Sequence, residues 1–362
     1  MKIRSSIVRE IQTGGVAELH KYLQSAIELE HATIPVYQTA LYSIKPGTNR
    51  EAAAIIASVA REEMLHLNIA ANVLNALGGA PVIDKPGFIP VFPGPLPMGI
   101  GDLRVSLQKL TRGHVYDTFM AIEQPEQSLD LPVSEPRLAP LAALRAPAVP
   151  PAPTAEPEYA TIGQFYEAII GKLEELGAPL FTRPLSPQVV DNTWFPPSQL
   201  FPVDGVESAV AALTVIIDQG EGTKLSPLES PHGGPVAHYY RFAEIVYARR
   251  LVRDASHPNQ FSYSGAPVPL DPAGIWNLVA DAKSVDYAEG SQARRISDRF
   301  NYSYTSLLKA LHETFNGRPD NLSKALALMY EQKLLGGDLA ATRIDGTDLQ
   351  AAPTFEYATQ PM

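Results

Sequence analysis

The sequence contains no cysteine, which removes disulfides, thiolate nucleophiles, iron–sulfur clusters and sulfur-ligated zinc. Any metal centre must therefore be built from Glu, Asp and His, a hard donor set that suits iron or manganese. No apolar run approaches the roughly 18 residues of a membrane span, and residues 1–10 lack the apolar core of a signal peptide, so a cytoplasmic protein off the membrane is expected. Positive charge is scarce. The 29 Lys and Arg stand against 39 Asp and Glu, giving a net charge of -10. No basic run is long enough to follow a phosphate backbone, so nucleic acid is not an expected partner. No period of about 20 to 50 residues repeats, which excludes a solenoid.

The chain has 362 residues, 45% hydrophobic and 19% charged, enough to bury a large core. Helical periodicity dominates, broken by clusters of the 33 prolines. Its main chemical signal is Arg61-Glu62-Glu63-Met64-Leu65-His66. Around it Ile56, Val59, Glu63, His66, Ala70, Val73 and Leu77 recur at steps of three and four, the mark of a buried stripe. Glu63 and His66 thus share the dry face of a helix. A buried carboxylate needs a cation, a proton or a hydrogen-bond network. Glu-x-x-His facing a bundle core is the ligand unit of dinuclear carboxylate proteins, which add single Glu residues from other helices. A second stripe, Leu19, Leu23, Ala26, Glu30, Ile34, Tyr37 and Leu41, supplies one.

The spacing predicts helices over 16–42, 50–77, 105–124, 161–176 and 206–219, and one opening at 237. A short helix over 275–282 and a helical hairpin over 298–315 and 322–335 follow. Pro35 falls inside the first long helix, where its ring and missing N–H predict a kink or π-bulge. The first two long helices are joined by so short a turn that they must be antiparallel, setting Glu30 at the depth of Glu63 and His66. The Pro- and Gly-rich stretch 81–101 reads as an ordered loop over the bundle, 128–158 as a flexible Pro-rich excursion without chemistry, and 346–362 as a strap held by Phe355 and Tyr357. Residues 1–255 are expected to form the bundle, with 256–362 as a helical extension packed on it.

Three motifs, Ile27-Glu28-Leu29-Glu30-His31-Ala32-Thr33-Ile34-Pro35-Val36-Tyr37, Ala60-Arg61-Glu62-Glu63-Met64-Leu65-His66-Leu67 and Asn75-Ala76-Leu77-Gly78-Gly79, resemble the ferritin-like domain of the iminophenyl-pyruvate dimer synthases of violacein and rebeccamycin biosynthesis. Further echoes are Phe119-Met120-Ala121-Ile122-Glu123-Gln124-Pro125-Glu126, Thr161-Ile162-Gly163-Gln164-Phe165-Tyr166, Gln219-Gly220-Glu221-Gly222 and His238-Tyr239-Tyr240-Arg241-Phe242. The resemblance implies an all-α, ferritin-like four-helix bundle with long Pro-rich loops and, for the pathway enzymes, oxidative coupling of two imines derived from an aromatic amino acid. Those enzymes carry a large additional N-terminal part, so this chain is expected to be the ferritin-like module alone.

Glu30, Glu63 and His66 are the ligands that stripe and resemblance both support. Glu221 and His238 match the resemblance and are expected to close the site. Glu123 and Glu126 flank Pro125, one placed to ligate and the other to cap, and Glu167 is an alternative from the next helix. Glu28 and Glu62 fall off the stripes, as surface or supporting groups. Tyr37, Tyr166, Trp194 and Phe195 are candidates to line an aromatic pocket, and Arg241 to pair a ligand or substrate carboxylate. His20 and His114 are expected as surface or capped histidines without a ligand role, and His31 at most as a supporting group beside Glu30. The expected cofactor is iron, mononuclear or dinuclear, with manganese compatible. The expected partners are a small-molecule substrate and dioxygen or peroxide, with a homodimer compatible. The competing reading is a ferritin-like binding or structural protein without turnover.

Overall fold

A computed structural model describes residues 2–99, 103–134, 159–181, 187–191, 193–222, 226–230 and 234–358. Most of the Pro-rich excursion, including 135–158, lies outside the described residues. After α1 (Ser5–Thr13), two long helices, α2 (Val16–Tyr42) and α3 (Arg50–Ala76), form the antiparallel spine. Their ends follow local rules. Glu18 bonds back to the Gly15 amide at the start of α2, and Gly78, at φ 82°, takes the left-handed turn that stops α3.

The next helix is shorter than the sequence predicts. Residues 105–111 run extended because their amides are claimed from far away: Leu107 N donates to Asp281 Oδ1 at 2.7 Å and Leu110 N to Ser43 Oγ at 2.9 Å. Helix α4 starts only after Thr111, whose hydroxyl caps the His114 amide at 3.0 Å, and comprises Arg112–His114, a π turn over Val115–Phe119, and Met120–Ile122. Of the kink or π-bulge expected at Pro35, the π-bulge is absent, since α2 runs through Pro35 as α-helix, and a π turn of five residues lies here instead.

Helices α5 (Ile162–Leu176) and α6 (Val206–Glu221) pair with each other and complete the bundle against α2 and α3. Thr161 opens α5 with a capping box: its hydroxyl accepts from Gln164 N and its amide donates to Gln164 Oε1. Helix α7 (His238–Tyr247) packs against α3, α4 and α6. The hairpin α8 (Gln292–Phe315) and α9 (Leu322–Ala341) packs α9 on α2 and α8 on α3. Instead of the short helix predicted over 275–282, this stretch is irregular and bridges through Leu278 to Gln350. The tail is a strap: Ala351, Ala352 and Phe355 are buried, and the Tyr357 hydroxyl donates to Asp84. Among the described residues strands are confined to two ribbons, β1 (Ile3–Arg4) with β2 (Tyr159–Ala160) and β3 (Val252–Arg253) with β4 (Phe261–Ser262). Among the described residues no helix is long and apolar enough to cross a membrane.

Candidate metal centre

Four segments bring five buried donors together: Glu30 from α2, Glu63 and His66 from α3, Glu123 directly after α4, and His238 at the first position of α7. They form two triads, Glu30–Glu63–His66 and Glu63–Glu123–His238, each with its ligand atoms within 4.8 Å of one another. Glu63 is common to both. A single carboxylate thus joins two candidate cation positions. The imidazoles of His66 and His238 stack with centroids 5.4 Å apart.

Each imidazole is fixed from behind. His66 Nε2 lies 2.9 Å from Gln219 Oε1, and an amide oxygen only accepts, so Nε2 carries a proton. Its Nδ1 faces Glu30 Oε2 at 3.5 Å. His238 Nε2 likewise donates to Glu62 Oε2 at 2.8 Å. Its Nδ1 sits 3.0 Å from Glu63 Oε1 and 3.6 Å from Glu123 Oε2, yet has no aligned hydrogen bond. When neutral, both rings therefore present an Nδ1 lone pair to three buried carboxylates. That orphaned nitrogen, with hard oxygen donors around it, fits a divalent cation.

The carboxylates are held as firmly. Tyr166 donates to Glu30 Oε1 and Tyr37 to Glu123 Oε1, each at 2.5 Å, and Thr33 donates to Glu63 Oε2 at 3.1 Å. Without a cation, protons must balance the acids. Burial, then the negative charge of Glu123 and Glu30, pushes Glu63 up to about 8. Burial alone would lower the His238 pKa, but Glu123, Glu62 and Glu63 hold it well above its ordinary value; Glu30 does the same, more weakly, for His66. Burial opposes ionisation of Glu123, yet His238 and Tyr37 keep its pKa below the ordinary value.

A narrow cavity of about 20 Å³ opens beside the cluster, lined by Glu30, Glu63, His66, Glu123 and, on its far wall, Gly163, Gly220 and Glu221. That is room for one or two small atoms.

The remaining candidates lie elsewhere. Glu221 reaches the cavity wall but turns to the start of α5, where its carboxylate accepts from Gly163 N at 2.7 Å and from the Glu126 amide, and it belongs to neither triad. Glu126 is exposed and contributes that amide. Glu167 is exposed, because Phe165, Tyr166 and Ile169 take the inner face of α5. Tyr37 and Tyr166 are committed to carboxylates rather than to an open pocket, and Trp194 is 43% exposed.

Arg241 is not free for a substrate: its donors engage Glu62, Glu229, Ser58 and the Val236 carbonyl. His31 is buried against Tyr304 and Phe88. His114, expected as a surface or capped histidine, is buried, with its Nδ1 3.2 Å from Thr118 Oγ1. Gln219 is the supporting residue the sequence reading missed. Its signal was present, three residues after Ile216 on the buried face of α6.

A family model described as ferritin-like matches residues 23–247. Dichlorochromopyrrolate synthase of Lentzea aerocolonigenes is 29% identical over 288 residues, covering 75% of this chain and 26% of that protein. The chain thus spans about a quarter of the length of this curated relative. Among solved structures, a ferritin-like protein from Caulobacter vibrioides superposes with a TM-score of 0.57 at 23% identity, covering 94% of this chain and 97% of that one. At that identity the likeness shows the fold alone.

Proposed function

The chain belongs to the ferritin-like family, and from that premise we propose that it is a non-haem iron oxidoreductase with a dinuclear centre held by Glu30, Glu63, His66, Glu123 and His238. The observation that carries this reading is Glu63, whose carboxylate is shared by two triads that each end in an imidazole turning Nδ1 to the carboxylates, that of His238 without a hydrogen-bond partner. Bound iron would supply electron transfer to dioxygen or peroxide. A thiol-free, carboxylate-rich shell favours its higher oxidation state, and manganese is the alternative ion.

The chain's own groups do the rest. Glu63 would serve both metal positions, with Glu30 and His66 at one and Glu123 and His238 at the other, while Tyr166 and Tyr37 fix the orientation of Glu30 and Glu123. Ile122, Ile162, Ile216 and Ile217 exclude bulk water from the cavity. Its size suits dioxygen or peroxide and not an aromatic ring, so an organic substrate must approach where the wall of Gly163, Gly220 and Glu221 gives way. The substrate class we propose is a small imine derived from an aromatic amino acid, in secondary metabolism. The named relative, a synthase of dichlorochromopyrrolate, supports this.

A second reading has an observation of its own. The phenols of Tyr37 and Tyr166, with protons on the histidines, satisfy the acids without metal, as a ferritin-like binding or structural protein without turnover would need. Iron content separates the two. Protein from iron-supplied cells should carry close to two irons per chain, His66→Ala should lose one, and Glu63→Ala should lose both. Iron-loaded protein should then consume dioxygen or peroxide in the presence of aromatic imines. A parent chain without metal, and variants that fold unchanged, would overturn the oxidase reading.

A further inference from the structure

The outer nitrogens of the two histidines are joined by one continuous network. His66 Nε2 bonds Gln219, whose side chain also hydrogen-bonds Glu229. Glu229 pairs with Arg241 Nη2 at 3.0 Å, Arg241 grips both oxygens of Glu62, and Glu62 accepts from His238 Nε2 at 2.8 Å. The path is closed but not symmetric. His238 leans on a carboxylate, whereas His66 leans on a neutral amide.

We infer that this network makes the two halves of the centre unequal: the His238 position binds its metal tightly, the His66 position binds weakly and exchanges, and Gln219, Glu229, Arg241 and Glu62 are the positioning residues that set the difference. This rests on the dinuclear reading. An imidazole whose N–H is bound by a carboxylate is a stronger donor at its other nitrogen than one bound by an amide. The carboxylates themselves do not separate the halves in this way. Glu30 and Glu123 each take a phenol at 2.5 Å, and Glu63 is shared. The cavity touches Glu30, Glu63, His66 and Glu123 and leaves out His238 among the five donors, so the His66 position has its imidazole on the cavity and the His238 position does not.

The test is anaerobic titration of iron(II) into the full chain stripped of metal by chelation, with free iron read after equilibrium dialysis. Two affinity classes separated by about tenfold or more are expected, on the scale of a supporting-group effect. His66→Ala should remove the weak class and His238→Ala the tight one. Glu62→Gln should weaken the tight class by about 10- to 100-fold. The double variant Gln219→Glu with Glu229→Gln keeps the net charge and the hydrogen-bond path but moves the carboxylate next to His66. It should tighten the weak class, a gain that a merely structural role would not produce and that stands even where Glu62→Gln folds poorly. Two equal classes, or a double variant that only weakens binding, would overturn this inference and leave the dinuclear reading intact. A parent chain that takes up no second iron would overturn both.

Discussion

Glu62 and Glu63 follow one another in the chain yet bracket a single imidazole: Glu62 Oε2 lies 2.8 Å from Nε2 of His238 and Glu63 Oε1 lies 3.0 Å from its Nδ1. Successive residues on a helix diverge by about 100°, so one cannot bury both carboxylates on the same face. The start of α7 solves this by inserting its first side chain between them. Glu63 then points to the centre and Glu62 to Arg241. The consequence is a tilted balance of protons in the metal-free protein, which a pH series can read.

Glu63 titrates at about 8 in the folded, metal-free chain, against 4.5 for an ordinary glutamate. A raised folded pKa contributes stability that is full below about 4.5 and is lost as pH rises through about 8. Metal-free protein should therefore lose urea resistance between pH 5 and pH 8. Glu63→Gln has no proton to release there, and its slope should be shallower by an amount on the order of a few kcal/mol over that range. Equal slopes for parent and variant would contradict the placement of Glu63 among charged acids.

His114 runs in the opposite direction. Burial lowers its pKa to about 4, so the folded state resists protonation that the unfolded chain accepts near 6.5. Its contribution is present above about 6.5 and lost as pH falls toward 4. His114→Gln should flatten the acid side of the stability curve by as much as about 3 kcal/mol between pH 6.5 and 4. Comparing slopes cancels the fixed cost of the substitution itself. An unchanged acid limb would place His114 in water.

Much of this was legible in the sequence, and the exceptions share a cause. The spans of α2 and α3, and Glu30, Glu63 and His66 on their inner faces, follow from uninterrupted three-four spacing and clear stop signals. Glu123 and His238 sit at helix ends, one just past α4 and one opening α7, where no stripe exists to mark an inner face. They were reachable only through resemblance to known proteins. The start of α4 was misplaced because Asp281 and Ser43, far away in the chain, take the amides of 105–111. Glu167 kept helical spacing with apolar neighbours, yet the bulk of Tyr166 claimed the inner position.

The phenol bonds invite a direct measurement. Tyr37→Phe and Tyr166→Phe each delete one hydrogen bond to a buried carboxylate while keeping the ring. Each should cost about 1.5 to 3 kcal/mol of metal-free stability, the range for bonds to charged groups. Iron loading should recover part of that loss, because the cation takes over the freed oxygen. Losses under about 0.5 kcal/mol in denaturant titrations would mean that water replaces the phenols, and the acids are then less dry than the structure has them.

Gly220 offers a way to separate stability from access. It lies in the last turn of α6 on the cavity wall, and a Cβ there would meet Glu123 Oε2 at 3.8 Å, an ordinary contact. Alanine is the better helix former by up to about 1 kcal/mol, so Gly220→Ala should be neutral or stabilising. Its methyl group nonetheless occupies space in a cavity of about 20 Å³. Gly163→Ala is different, since its Cβ would fall 2.7 Å from Glu221 Oε2 and force that carboxylate to move. The expected outcome for Gly220→Ala is unchanged iron content and melting temperature with oxidation of the loaded iron by dioxygen or peroxide slowed at least severalfold in stopped-flow absorbance. Oxidation at the parent rate would show that the oxidant reaches the centre by another route, and would move the entry path away from the wall formed by α5 and α6.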